Sequence, residues 1–120
     1  MGLDKMLCFF DTYVFLALDK GSKNYEKFKD VDAITTRFNQ AEYGWILIKR
    51  GEDTGADNLE PYIHEVDFNI IKAALTIRKK YKKMSMPDAI GYATANYLKI
   101  PFVTGDADFK GLPNVVFTKE

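Results

Sequence analysis

Short apolar runs alternate along this chain with longer stretches in which apolar residues recur every three or four positions. Residues 6–10 form a continuous apolar run, as expected for a strand of a parallel sheet that is covered on both faces. Because strands that alternate with helices build parallel sheets, the pattern predicts an α/β fold with a parallel central sheet and helices on both faces. The predicted strands are residues 6–10, 33–36, 62–66, 100–104 and 115–117, and the predicted helices are residues 13–19, 25–29, 38–50, 68–81 and 86–98.

Local signals mark where several of these helices begin and end. Asp67 precedes one periodic stretch as an N-cap, and Gly51 supplies a stop for the helix before it. The run Ser85-Met86-Pro87-Asp88 combines an N-cap serine, a proline in the first turn and an acid three residues later, which is the pattern of a capping box. The helix after the second strand is predicted to bury one stripe of residues: Phe38, Ala41, Trp45 and Ile48.

Length and composition support one domain over residues 1–120. The chain has 47% hydrophobic residues and 17 basic against 17 acidic side chains, which excludes a disordered tail and argues against binding nucleic acid through bulk charge. Its single cysteine, Cys8, excludes a disulfide framework and a cysteine-based zinc finger. The apolar runs on either side of Asp11 are shorter than the ~20 residues of a membrane span, so no membrane association and a cytoplasmic location are expected.

Acidic residues follow or flank the predicted strands at one end of the sheet. Asp11 comes directly after the first strand, and Asp106, with Asp108 beside it, follows the fourth. Asp88 lies in the first turn of the helix that leads into the fourth strand, and Glu42 lies within the predicted apolar stripe of its helix. Ligands of parallel sheets bind beyond the carboxyl ends of the strands, so we expect these acids to converge there. No histidine or cysteine is placed to complete a zinc site, and an oxygen-only cluster suits Mg²⁺ or Mn²⁺.

Each of these acids also has a structural interpretation. Asp88 completes the capping box, and Asp11 is placed to cap the helix after the first strand. Asp106 and Asp108 suit a tight turn, and Glu42 reaches water if it lies at the edge of its stripe. Convergence favours a functional site, because the four structural interpretations would all have to hold at once.

A cluster of positive charge ends the helix that begins after Asp67. One interpretation is a solvated final turn whose cations complement the helix dipole. The other is a patch that contacts nucleic-acid phosphates beside the acids, with Tyr81 available for base stacking. Both interpretations stay open on the sequence alone. The cations are Arg78, Lys79, Lys80, Lys82 and Lys83.

Four motifs follow one another along the chain. They are Phe9-Phe10-Asp11-Thr12, Ala41-Glu42, residues 88–95 with the sequence DAIGYATA, and residues 103–109 with the sequence VTGDADF. Together they resemble a PIN domain, and the length is similar to that of the VapC-type toxins of toxin–antitoxin pairs. The resemblance covers residues from about 7 to 116. The sequence departs from the family pattern at Tyr13, where many members carry an asparagine.

The resemblance implies a magnesium- or manganese-dependent endoribonuclease that cleaves RNA and is bound by a small antitoxin protein. Thr104 would supply a hydroxyl that supports the site. A homodimer is expected as well, with surplus aromatic residues such as Trp45 at its face. The matching catalytic residues would be Asp11, Glu42, Asp88 and Asp106, and the matching metal ligands would be Asp11, Asp88, Asp106 and Asp108.

Two alternatives differ in function. A PIN-like protein that processes or binds RNA without acting as a toxin would carry the same motifs. A receiver-like regulatory module also groups acids at strand ends, but it needs an acid pair after its first strand, an aspartate after its third and a lysine after its fifth. Here Asp11 stands alone at its strand end, residues 64–66 offer no such acceptor, and Lys119 falls at a frayed end, so the receiver is disfavoured.

Overall fold

Four short parallel strands form the central sheet: β1, Leu7–Phe10; β2, Asp32–Ile34; β3, Phe102–Thr104; and β4, Val115–Phe117. The computed structural model describes residues 6–52 and 55–119 of the chain. The strand order is β2-β1-β3-β4, and Phe9 of β1 lies opposite Ile34 of β2 and Phe102 of β3. The predicted parallel sheet is therefore confirmed. Residues that follow the strands form one edge of it, called the carboxyl edge below.

Helices cover both faces of this sheet, as predicted. They are α1, Thr12–Asp19; α2, Arg37–Lys49; α3, Phe68–Lys80; and α4, Met86–Leu98, with short 3₁₀ helices at Lys23–Phe28, Ala56–Tyr62 and Ala107–Phe109. Successive side chains of a strand point to opposite faces, so Phe10 packs beneath α1 while Phe9 packs against α4. α3 packs along α4 on its outer side. In the described ranges, no helix has the length and apolar character needed to cross a membrane.

Gly91 lets α4 approach the centre of the sheet closely. A Cβ atom on Gly91 would lie 2.9 Å from Cε1 of Phe9 and 3.4 Å from Cε1 of Phe102. These two rings stack beneath the helix with their centroids 5.4 Å apart. Because the core is close-packed, a larger residue here would push the helix off the sheet. The contact keeps the first turn of α4 near the carboxyl end of β1.

The strand predicted at residues 62–66 is wrong. Tyr62 ends the 3₁₀ helix Ala56–Tyr62, and pairing in this segment is limited to an isolated parallel bridge between Ile63 and Thr35. The bridge consists of Thr35 N–H donating to the Tyr62 carbonyl at 2.9 Å and His64 N–H donating to the Thr35 carbonyl at 2.8 Å. The segment lies between the end of one helix and the cap of α3, which leaves room for one bridge and no ladder. Asp106 consequently follows the third strand of the sheet, and not a fourth.

The predicted buried stripe of α2 is also wrong. All four predicted residues are exposed: Phe38, Ala41, Trp45 and Ile48. The buried positions of α2 are Asn39, Tyr43, Gly44 and Leu47. The reason lies in the neighbours of α2, which packs between α1, α4 and the 3₁₀ helix Ala56–Tyr62. The inner face combines two large apolar residues, Tyr43 and Leu47, with Asn39, which makes buried hydrogen bonds. It also holds Gly44, where a Cβ atom would lie 2.9 Å from Cβ of Ala56.

The new register changes the position of Glu42. This residue is half-buried at the boundary between the two faces of α2, and not in the middle of an apolar stripe. Glu42 therefore borders on solvent, which is the position that its structural interpretation required.

Candidate active site

Asp11 is a buried carboxylate at the carboxyl end of β1. The residue is 2% exposed, and it is the N-cap of α1. Its Oδ1 accepts a hydrogen bond from Thr12 N–H at 2.8 Å, and its Oδ2 accepts one from the Thr104 hydroxyl at 2.7 Å. The capping interpretation of Asp11 is thus correct, but an ordinary N-cap needs no such burial, and burying a carboxylate costs several kcal/mol unless it is compensated.

The Thr104 hydroxyl joins two parts of the carboxyl edge. While it donates to Asp11, the same oxygen accepts a hydrogen bond from Asp106 N–H at 3.0 Å. Thr104 ends β3 and is fully buried, so its hydroxyl links the end of β1 to the loop after β3. The supporting role of Thr104 in the site stays a prediction.

Electrostatic interactions connect the acids of this edge. The pKa of Asp11 is raised to about 7, chiefly by burial and then by the charges of Asp88 and Glu42, while the hydrogen bonds from Thr104 and Thr12 oppose the rise. Burial also raises the pKa of Asp88, with contributions from the charges of Glu42 and Asp106 against the hydrogen bonds of Ser85. The structure therefore places Asp88 and Glu42 within electrostatic reach of Asp11, and Glu42 and Asp106 within electrostatic reach of Asp88.

Asp88 and Asp106 keep their local structural roles as well. The Asp88 carboxylate accepts a hydrogen bond from Ser85 N–H, and the Ser85 hydroxyl accepts one from Asp88 N–H, both at 3.2 Å, which completes the capping box of α4. Asp106 Oδ1 accepts a hydrogen bond from Asp108 N–H at 2.9 Å at the start of the 3₁₀ helix Ala107–Phe109. Asp108 itself is exposed and meets Asp106 through its backbone. Structural and site roles thus coincide in the same carboxylates.

The donor set at this edge fits a hard divalent cation. Its side chains offer carboxylate oxygens, which are the ligands that Mg²⁺ and Mn²⁺ prefer. Within residues 6–52 and 55–119, the present side-chain conformations bring no three acidic, histidine or cysteine residues close enough together to hold one ion. Asp11 is fixed by Thr104, whereas Asp88 and Asp106 are half-buried at the rim, so binding would require the rim carboxylates to turn towards Asp11.

The sequence did not predict a buried network of polar side chains that lies beneath the site. Asn39 Nδ2 donates to the Thr12 hydroxyl at 3.1 Å, and the Thr36 hydroxyl donates to Asn39 Oδ1 at 2.7 Å. The Thr35 hydroxyl donates to the Phe10 carbonyl at 3.0 Å. This network ties the first turn of α2 to the first turn of α1, directly beside Asp11. A threonine at the end of a strand, followed three residues later by asparagine, is the signal that predicts the local cap at Thr36, but not the contact with Thr12.

The basic cluster lies at the same edge of the molecule. α3 and α4 pack along each other and are joined by residues 81–85 alone, so they run antiparallel and the end of α3 lies beside the start of α4. Four lysines of this segment are exposed, whereas Arg78 is half-buried. The positively charged segment therefore lies beside the first turn of α4, which contains Asp88. The exposed lysines are Lys79, Lys80, Lys82 and Lys83.

Comparison with known proteins identifies the family. Residues 8–115 match the family described as PIN domain. This chain belongs to the PIN-domain family. PIN domains are nucleases, which hydrolyse phosphodiester bonds and generally use divalent metal ions.

A solved structure with the same fold is described as "Toxin-antitoxin complex from Klebsiella pneumoniae". The similarity has a TM-score of 0.73 and covers 91% of this chain and 95% of that chain, with 22% sequence identity. At this identity the match shows that the two chains share a fold. Comparison with curated protein sequences gives no significant match.

Proposed function

We propose that this PIN domain is a Mg²⁺- or Mn²⁺-dependent endoribonuclease and the toxin of a toxin–antitoxin pair. The observation that carries the proposal is the buried carboxylate of Asp11, held by Thr104 at the carboxyl edge and surrounded by the charges of Asp88 and Glu42. Burying a carboxylate lowers the stability of the fold, and an N-cap does not require that burial. A role in catalysis or metal binding does explain it.

Asp11, Asp88 and Asp106 would hold the metal ion, with Glu42 beside them and Asp108 as an additional acid from the loop. A bound divalent ion stabilises the negative charge that develops on phosphodiester oxygens and lowers the pKa of a bound water molecule. The raised pKa values of Asp11 and Asp88, which are due first to burial and then to neighbouring carboxylates, support this assignment. A cation at this edge would offset both the loss of solvation and the repulsion.

The surrounding residues orient and protect the site. Thr104 fixes one rotamer of Asp11 through the 2.7 Å hydrogen bond, and the Asn39–Thr12 hydrogen bond fixes the first turn of α1. Both contacts are buried, so they hold the carboxylate in place without competition from water. Asp88 stands on α4, whose distance from β1 is set by Gly91.

An RNA substrate is supported by the charge distribution. The chain has no net charge, but its exposed lysines at positions 79, 80, 82 and 83 concentrate positive charge beside the acids. Such a patch attracts the phosphate backbone and offsets the repulsion between RNA and the carboxylates. We propose the cytoplasm as the location of this activity.

A protein partner is supported by two observations. The solved structure with the same fold is described as a toxin–antitoxin complex, and the match covers 95% of its chain. In this chain, Trp45 and Ile48 leave an apolar face of α2 exposed, which a protein partner would cover. We propose a small antitoxin as that partner, and a homodimer as the assembly of the toxin itself.

The proposal is tested by cleavage of labelled single-stranded RNA with MgCl₂, with MnCl₂ and with excess EDTA. We expect cleavage with either metal ion, none with EDTA, and none by Asp11→Asn or Asp88→Asn. Undiminished cleavage in EDTA would refute the metal dependence, and cleavage of single-stranded DNA in preference to RNA would refute the substrate. The toxin role is tested by expression in a bacterial host, where growth should stop and should recover when the small protein encoded beside this gene is expressed as well.

A further inference from the structure

Two exposed aromatic residues, Tyr13 and Phe38, stand at the carboxyl edge outside the carboxylate site. Tyr13 is 53% exposed and Phe38 is 41% exposed. Each is the second residue of a helix that starts at the carboxyl end of a strand, α1 after β1 and α2 after β2. Since β1 and β2 are neighbours in the sheet, the two rings belong to the same stretch of the edge.

Chain geometry keeps the backbone of both aromatic residues close to that of the acids. Tyr13 follows Asp11 by two residues, so their Cα atoms are at most about 7.6 Å apart. Phe38 precedes Glu42 by one turn on the same side of α2. Glu42 in turn lies within electrostatic reach of Asp11 and Asp88. The acids therefore have an aromatic ring on the α1 side and another on the α2 side.

A buried hydrogen bond connects the supports of the two rings. Thr12, directly before Tyr13, accepts this bond from Asn39, directly after Phe38, at 3.1 Å. Asn39 is held in turn by the Thr36 hydroxyl at 2.7 Å. The backbone beneath both rings is consequently one fixed unit, which is the requirement for a preorganised binding surface.

We infer that Tyr13 and Phe38 stack on bases of single-stranded RNA and so place the intervening phosphate beside the carboxylates. This inference rests on the proposed ribonuclease function. Stacking on aromatic rings is the usual way in which proteins hold unpaired bases, and it requires bases that a duplex would keep inaccessible. The two rings would therefore make the enzyme select unpaired RNA, while the lysines of the α3 end contact phosphates.

The test measures binding of a fluorescent single-stranded RNA of random sequence by anisotropy in MgCl₂. All proteins carry Asp88→Asn, which keeps the RNA intact. Tyr13→Ala and Phe38→Ala should each weaken binding by about 5- to 100-fold, the effect of one lost base stack. Tyr13→Phe keeps the ring and should keep the affinity.

Two exposed aromatic residues elsewhere serve as matched controls. Tyr97 is 55% exposed in the last turn of α4, at the opposite edge of the sheet, and Trp45 is 58% exposed two turns beyond Phe38 on α2. Tyr97→Ala and Trp45→Ala should both retain the affinity. Because stacking neutralises no phosphate, Tyr13→Ala should also keep the salt dependence of binding, which replacement of the four exposed lysines by glutamine should flatten.

Three results would overturn the inference. The first is unchanged RNA affinity in both Tyr13→Ala and Phe38→Ala while the lysine variant binds more weakly, which would leave the proposed function intact. The second is a loss of affinity in Trp45→Ala as large as that in Phe38→Ala, since it would assign the whole outer face of α2 to one interface. The third is absence of RNA binding and of RNA cleavage by the protein with native Asp88, which would refute the proposed function together with the inference.

Discussion

At the scale of single residues, the carboxyl group of Asp11 makes stability depend on pH. Its pKa of about 7 in the folded protein lies above the value of about 3.9 for an exposed aspartate. Folding therefore favours the protonated form, so the stabilisation is complete below about pH 4 and is lost as the pH rises through about 7. In EDTA we expect the free energy of unfolding to fall by on the order of 2–4 kcal/mol from pH 4 to pH 8, and Asp11→Asn to remove most of that fall.

Denaturant titrations at several pH values measure this effect. Asp30→Asn changes an exposed carboxylate just before β2, at the opposite edge of the sheet, and should leave the pH dependence as it is. If Asp11→Asn showed the same pH dependence as the parent protein, the titrating group would be another acid of the edge, Asp88 above all.

The Thr104 hydroxyl supports a second prediction at this scale. Thr104→Val keeps the shape but removes the donor to Asp11 and the acceptor for Asp106 N–H. We expect a loss of about 1–3 kcal/mol in the free energy of unfolding and a decrease of about 10- to 100-fold in metal-dependent RNA cleavage. Thr104→Ser keeps the hydroxyl and should retain most of the cleavage. A fully active Thr104→Val would show that Asp11 needs no such support.

At the scale of elements, the contact between α4 and β1 decides where Asp88 stands. Gly91→Ala would improve the intrinsic helix propensity by about 0.5–1 kcal/mol, but its Cβ would lie 2.9 Å from the Phe9 ring. We expect the steric effect to prevail, with a net loss of about 1–3 kcal/mol in the free energy of unfolding. Cleavage should decrease as well, because the first turn of α4 would move away from Asp11.

A double variant separates this effect from a general loss of stability. Phe9→Leu/Gly91→Ala removes the ring atoms that the new Cβ would meet, so it should recover part of the stability and of the cleavage that Gly91→Ala loses. Purely additive effects of the two substitutions would contradict the proposed contact between helix and sheet.

At the scale of the whole molecule, the net charge is zero, but acidic residues and lysines are concentrated at the carboxyl edge. Acids within reach of one another repel when no cation is bound, so metal binding should stabilise the fold as it relieves that repulsion. Thermal melts should show a higher Tm for the parent protein in MgCl₂ than in EDTA, corresponding to about 2.7 kcal/mol when the metal concentration is 100 times Kd.

Asp88→Asn is the matched variant, because an asparagine oxygen can still accept the hydrogen bond from Ser85 N–H. It should melt at or above the parent Tm in EDTA and should lose the response to MgCl₂. An Asp88→Asn protein that gains as much from MgCl₂ as the parent would remove Asp88 from the metal ligands.

Features that depend on neighbouring residues could be predicted from the sequence. The apolar run that ends at Asp11 forms β1, Ser85 and Asp88 form a capping box, and Asp67 caps α3 by accepting a hydrogen bond from Ile70 N–H at 3.0 Å. Each of these signals acts within a few residues, so its energy is the same in most folds that contain the segment. The order of the acids along the chain belongs to this group, and it was sufficient to predict the edge at which they lie.

Features that depend on distant partners were decided by the tertiary structure. The sequence around α2 predicted burial of Phe38 and Trp45, but the helix buries a different face, on which Tyr43 packs against Phe15 of α1 and Asn39 bonds to Thr12. The hydrogen bond from Thr104 to Asp11 joins residues 93 positions apart. Sequence periodicity shows which face of a helix is apolar, but it does not show which elements will pack against each face. A buried asparagine, or a buried carboxylate, is stable only where the assembled fold brings its partner.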